Sequence, residues 1–236
     1  MYSMEHKLEW QNEREGKITF YEKETVFMTV EVFISLEEEA ELRILDIVIP
    51  EESTENDKNR EEVISKMMKC IETCFSVLWD EGFPETILVE EQGTKIADIY
   101  NSTDVVQKVY SECMLKLKFD PQVSTDCGQP VFAGPEDEDG ILYENADKTF
   151  SCKIIAFEPD ENGEKVVYLH GVEVEKNKRN KGIATACLTG LFRQLAENAS
   201  ITVHLQVGSY NEPAWHLYHK MGFQIFEEIG YYALEE

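Results

Sequence analysis

Downstream of Thr149 the chain changes between the two-residue period of strands and the 3.6-residue period of helices. Residues 149–157 predict a strand, 159–163 a turn and 165–174 a second strand, together a hairpin. Ala184, Cys187, Leu188, Leu191, Leu195 and Ala196 then repeat at helical spacing, which predicts a helix over 182–198. In 201–207, Ile201, Val203, Leu205 and Val207 alternate with Thr202, His204 and Gln206, as a half-buried strand requires. Asn211 suits a helix N-cap and Pro213 the first turn, where its missing N–H does no harm. Gly222 ends that helix, and 223–232 predict a last strand.

A weaker version of this order precedes it. Residues 17–35 read as two or three strands and 41–49 as another. Residues 59–82 read as a long helix with Val63, Met67, Ile71, Phe75 and Leu78 on one stripe. A short strand over 86–90 and a second helix over 103–119 complete the series. The repeated order predicts an α/β protein with a mixed, partly splayed sheet, either as a tandem duplication or as one continuous sheet. The stretch 121–140 gathers Pro121, Gly128, Pro130, Gly134, Pro135 and Gly140 with the acidic run Glu136 to Asp139. Turn residues and like charges resist regular packing, so the expected domains are 1–120 and 141–236, with 121–140 as linker.

Composition narrows the function. The chain has 236 residues, 42% hydrophobic and 11% aromatic, enough for a buried core. Its 47 acidic and 22 basic residues give a net charge of −25, which would repel nucleic acid and anionic membranes. No apolar run is long enough to span a bilayer, and the charged first 16 residues do not read as a secretion signal, so a cytoplasmic location is expected. The six cysteines are expected as reduced, mostly buried thiols. Cys70 and Cys74 share a helix face but have no second pair at zinc spacing, so no metal is expected.

Against this acidic background one loop stands out. Lys176, Lys178, Arg179 and Lys181 put four positive charges into six residues, between a predicted strand and a helix starting near Gly182. Unpaired N–H groups and the positive dipole end make such a helix start an anion site. Gly182 lets a ligand approach the backbone closely. These features describe a cradle for a pyrophosphate. In the second segment, 211–223, Ala214, Leu217, Tyr218 and Met221 define a face that docks on the sheet. The Tyr218 phenol is a core aromatic that could also give a proton to a leaving group.

With both segments in view, the C-terminal half resembles the GNAT superfamily of acyl-CoA-dependent N-acyltransferases. Val174, Arg179, Gly182 and Ala184 match the family's first pattern, and Asn211, Ala214, Leu217, Tyr218, Gly222 and Phe223 its second. Ala184 and Asn211 lie 27 residues apart, with the appropriate helix and strand between the two patterns. The resemblance implies a GNAT-like fold, possibly tandem, and acetyl-CoA as co-substrate. It implies that the backbone of Val172, Glu173 and Val174 binds the pantetheine arm. Arg179, Asn180, Lys181, Gly182, Ile183 and Ala184 would hold the pyrophosphate, and Asn211 would contact the thiol end. Tyr218 would lie against the cofactor and protonate the departing thiolate after a neutral primary amine attacks the thioester.

Departures from the family also show. Lys176 and Asn180 stand where the family often has proline and its second glycine. Gln206 stands where some members carry a glutamate base, and an amide has no useful basicity. Glu173 and His170 are therefore the candidate bases, with His204 third and a water chain as a further route. The acceptor is expected to be a small-molecule or peptide amine, and the acidic composition favours a cationic one. The rival reading is a non-catalytic acyl-CoA-binding or partner-binding module. In the N-terminal half, 50–59 carries Glu51, Glu52, Glu55 and Asp57, which would repel a pyrophosphate. That half is expected to be a non-binding copy that walls the acceptor cleft.

Overall fold

The computed structural model describes residues 4–35, 39–47, 57–124, 127–159, 163–197 and 199–235. They form two compact units, Met1–Ser111 with Ile229–Glu236, and Glu112–Glu228.

In the first unit, β1 (Glu5–Trp10), β2 (Glu15–Glu22), β3 (Thr25–Ile34) and β4 (Ala40–Ile47) pair antiparallel in chain order. The helix α1 (Asp57–Asp80) then crosses over to β5 (Thr86–Glu91), which runs parallel to β4. Such a crossover hides one face of the sheet under the helix. Ile18, Phe20, Met28, Val30, Val32 and Leu42 of the strands are buried with Met67, Ile71, Cys74 and Leu78 of α1. Val63 and Phe75 of the predicted stripe are only partly buried against this core. A short helix, α2 (Lys95–Tyr100), follows, capped by the Thr94 hydroxyl on the Ala97 N–H.

In the second unit, β7 (Val131–Asp137), β8 (Gly140–Asn145), β9 (Phe150–Ala156) and β10 (Lys165–Val174) again pair antiparallel in chain order. The helix α3 (Ile183–Ala196) crosses over to β11 (Ile201–Gly208), parallel to β10, and α4 (Glu212–Met221) follows. The buried Cys187, Leu188, Leu191 and Phe192 of α3 pack with Val167, Leu169, Val203, Leu205 and Val207 of the strands. A backbone segment crosses α3 closely, the Gln129 N–H bonding the Ala186 carbonyl at 2.8 Å. A Cβ at Gly190 would lie 1.8 Å from the Gln129 carbonyl oxygen, so only glycine fits there.

Each unit is completed by a strand that follows the helix of the other in the chain. β6 (Val106–Phe119) comes after α2, yet its residues from Glu112 onward pair antiparallel with β11. β12 (Gln224–Leu234) comes after α4, yet Ile229–Tyr232 pair antiparallel with β5 (from Ile229↔Glu91 to Tyr232↔Leu88). The α/β class, the mixed sheet and the repeated order of elements therefore hold.

Three expectations need correction. Residues 103–119 are not a helix, because Ser111, Cys113, Leu115 and Phe119 alternate into the core and the backbone pairs with β11. The linker stretch 121–140 contains β7, an edge strand in which a bulge between Ala133 and Glu136 accommodates Pro135. The expected boundary near residue 120 also differs from the unit boundaries, which fall after Ser111 and after Glu228. The acidic loop of the N-terminal half lies largely outside the described residues, as do 160–162 of the predicted turn. Among the described residues no helix is long and apolar enough to cross a membrane. All six cysteines are free thiols, and only Cys127 is exposed.

Candidate active site

The site of the second unit starts from a divergence of parallel strands. β10 and β11 pair from Lys165↔Ile201 to Tyr168↔His204, whereas β10 continues to Val174 and β11 to Gly208. Past Tyr168, β10 also breaks register with β9 between His170 and Glu173, where Gly171 adopts φ 59°. A bulge of this kind re-aims the strand and interrupts its ladder. Val172, Glu173 and Val174 thus continue beyond the pairing with β11, available to a ligand that lies along the strand.

The chain leaves β10 through a single 3-10 turn, Lys176–Lys178, with the Lys178 N–H on the Glu175 carbonyl at 2.8 Å. Arg179 turns back, its Nε donating to the Val174 carbonyl at 3.0 Å, and Lys181 Nζ donates to the Asn177 carbonyl at 3.1 Å. Asn180 and Gly182 both adopt left-handed backbone, φ 60° and 77°. Asparagine tolerates this conformation, so its replacement of the family's second glycine leaves the loop intact. Gly182 is the N-cap of α3 and supplies no side-chain cap, unlike Thr94 at α2 and Asn211 at α4. The first intrahelical donor to Gly182 is the Ala186 N–H at 3.0 Å. The N–H groups of Ile183, Ala184 and Thr185 therefore lack i−4 partners, as in any first turn. A Cβ at Gly182 would meet nothing within 4 Å, so this open turn has room beside it. A basic, uncapped helix start with space in front of it fits the pyrophosphate of a coenzyme A thioester.

After β11 comes α4. The Asn211 Oδ1 caps it by accepting from the Ala214 N–H at 3.3 Å. Trp215 Nε1 donates to the Gly208 carbonyl at 3.1 Å, tying the helix to the end of β11. Gly222 closes it in the left-handed region, φ 89°. Tyr218 is 7% exposed and packs edge-on against Phe223 at 5.4 Å. Burial pushes its phenol up to about 12, with Cys152 and Tyr168 adding to the shift. It is therefore fully protonated at neutral pH, the state an acid must hold.

The candidate bases occupy different settings. His170 Nε2 lies 2.7 Å from the Asp139 carbonyl, which can only accept, so Nε2 is the donor of that bond. The ring stacks on Tyr168 at 5.9 Å. Glu173 is exposed at the bulge. His204 packs 5.0 Å from Phe226, and burial with nearby Lys116 holds it below its usual value.

Sequence reasoning missed two residues here. Gln206 Nε2 donates to a carboxylate oxygen of Glu112, on the same face of β6 and β11. Tyr168 lies within hydrogen-bonding reach of the Gln206 backbone, and burial and the Glu112 charge both raise its phenol. The signal for Glu112 was the alternation of Ser111, Cys113 and Leu115, overlaid by helical spacing through Val106, Val109, Tyr110 and Cys113. Among the described residues no group of three or more His, Cys, Asp or Glu side chains gathers to hold a metal.

Comparison with known proteins agrees with this geometry. Residues 109–223 match the acetyltransferase (GNAT) family. No curated protein matches the sequence. A GCN5-related N-acetyltransferase from Sphaerobacter thermophilus is similar over 92% of this chain and 80% of its own, with 12% identity and a TM-score of 0.51. A GNAT-family acetyltransferase from Colwellia psychrerythraea shares 11% identity over 94% of this chain and 86% of its own, with a TM-score of 0.49. A tandem GNAT protein of the clavulanic acid biosynthesis pathway shares 8% identity over 93% and 82%, with a TM-score of 0.43. At 12% identity and a TM-score of 0.51, the likeness to the Sphaerobacter thermophilus protein is one of fold. The diverging strands, the basic turn and both sequence patterns all lie within residues 109–223, the segment that matches the acetyltransferase (GNAT) family.

Proposed function

We propose that the second unit binds acetyl-CoA and transfers its acetyl group to a primary amine by direct attack. The observation that supports this most is the uncapped, basic start of α3 at the mouth of the diverging β10 and β11. Acetyl-CoA supplies an activated acetyl group as a thioester. Amides of Arg179 to Ala184 hold its pyrophosphate, with Arg179 and Lys181 adding charge. Backbone groups of Val172, Glu173 and Val174 bind the pantetheine arm along β10, and Asn211 lies toward the thiol end. Tyr218 gives its proton to the sulfur as the C–S bond breaks.

The acceptor is a small-molecule or peptide amine, and the net charge of −25 favours a cationic one by steering it inward. Six cysteines outside any disulfide suit a reducing compartment such as the cytoplasm. Incubation with acetyl-CoA and a broad amine panel should release free thiol. Binding of CoA without thiol release from any amine would instead support the non-catalytic module, which the amide at Gln206 otherwise favours.

A further inference from the structure

Attack on a thioester needs a neutral amine, and amines at neutral pH are ammonium ions. We infer that Glu112, held by Gln206 on the strand exchanged into the second unit, is the group that takes this proton. The inference rests on the acetyl-transfer reading above and adds to it a catalytic residue from outside both sequence patterns.

Three observations converge on Glu112. First, its position follows from register. β6 pairs with β11 from Ile201↔Phe119 to Gly208↔Glu112, so Glu112 stands opposite the end of β11, past the point where β10 has diverged. Second, the Gln206 amide donates to one of its oxygens. An amide at this position has no basicity of its own, but it fixes the orientation of a carboxylate. The proton acceptor is thus displaced from β11 to β6, with Gln206 as its positioning residue. Third, Glu112 influences Tyr168, and Tyr168 in turn influences Tyr218. The carboxylate and the proposed acid are therefore both electrostatic neighbours of Tyr168, the last residue of β10 paired with β11.

The step balances as follows. The Glu112 carboxylate takes one proton from the ammonium ion. The nitrogen lone pair forms a C–N bond to the acetyl carbonyl carbon, and the C–S bond breaks with its electron pair on sulfur. Tyr218 protonates the thiolate, and the second nitrogen proton restores the phenol. Glu112 then loses its proton to solvent. The products are the N-acetyl amine, CoA thiol and one proton.

Of the titratable groups, Tyr168 of β10 interacts with Glu112, while His204 of β11 lies further along the same strands, opposite Lys116 and against the Phe226 ring. The test uses the full chain, acetyl-CoA, and spermidine and a lysine-containing peptide as amine probes. Glu112→Gln should lower thiol release about 100-fold or more and remove the acidic limb of kcat/KM, while calorimetry shows unchanged CoA affinity. Glu112→Asp, which keeps the carboxylate, should recover part of the rate and restore the limb. Thiol release by Glu112→Gln at the wild-type rate with the same pH profile would overturn the role of Glu112 and leave acetyl transfer standing. No CoA binding or thiol release by the wild-type protein would overturn both.

Discussion

The two units build the same crossover and use it differently. In the first, β4, α1 and β5 form parallel strands joined through a helix, and in the second β10, α3 and β11 do the same. In both, the pairing stops before the strands do: β4 and β5 pair only from Ala40↔Thr86 to Leu42↔Leu88. Both also place a buried tyrosine on the next helix, Tyr100 in α2 and Tyr218 in α4. The surroundings of these tyrosines separate the units. The Tyr100 hydroxyl is sealed from solvent without a hydrogen-bond partner among the described residues, and burial together with Glu90 raises it. Tyr218 instead belongs to a unit whose crossover helix starts behind four cationic side chains. Before α1 the sequence offers Glu51, Glu52, Glu55 and Asp57. An element order thus carries over from one half to the other, while the charge before the crossover helix does not.

The strongest way to break this comparison is to treat the tyrosines alike. Tyr218→Phe is expected to lower turnover by about 100-fold or more with CoA affinity retained, as loss of a general acid would. Tyr100→Phe should leave turnover unchanged, so an equal loss from both variants would refute the distinction.

A smaller effect comes from the turn. Replacing Lys176, Lys178 and Lys181 together by Gln should weaken CoA binding about tenfold at low salt, and calorimetry should show the difference shrinking as salt screens the loop. An affinity change independent of salt would remove the electrostatic reading.

Tyr100→Phe should also stabilise the first unit by about 1 kcal/mol in urea unfolding, because it deletes a buried hydroxyl with no partner. A loss of stability would mean that this hydroxyl is satisfied in solution.

The smallest expected effects are on pH dependence, with opposite signs in the two units. Burial raises the Glu90 carboxyl above 4.5, so its contribution is present below that pH and is lost as pH rises through the folded value. Burial and Lys116 lower His204 below 6.5, so its contribution is present above that pH and is lost as pH falls through the folded value. In thermal melts across this range, Glu90→Gln should flatten the first slope and His204→Gln the second.

The second unit was legible in the sequence wherever the signal was local. The α3 and α4 helices, the cap at Asn211, the left-handed stop at Gly222 and the cationic turn each depend on residues within a few positions of one another. The long helix α1 and the strands β2 to β5 were legible from periodicity for the same reason. β6 was not. Its residues satisfy a helical template through Val106, Val109, Tyr110 and Cys113 and a strand template through Ser111, Cys113 and Leu115. The choice between these templates belongs to β11, some 90 residues further along (the Gln206–Glu112 pair is separated by 94). β7 stayed hidden because an exposed edge strand needs no apolar alternation, so its Pro135 and acidic run looked like linker.

The sequence alone therefore determined the family patterns, the cationic turn and the buried phenol, because helix starts, caps and local charge are properties of neighbouring residues. Tertiary structure alone decided the exchange of β6 and β12 between the units and, through it, the meeting of Glu112 with Gln206. Strand pairing is a contact between distant segments, and its register is fixed only when both backbones and both faces find their partners.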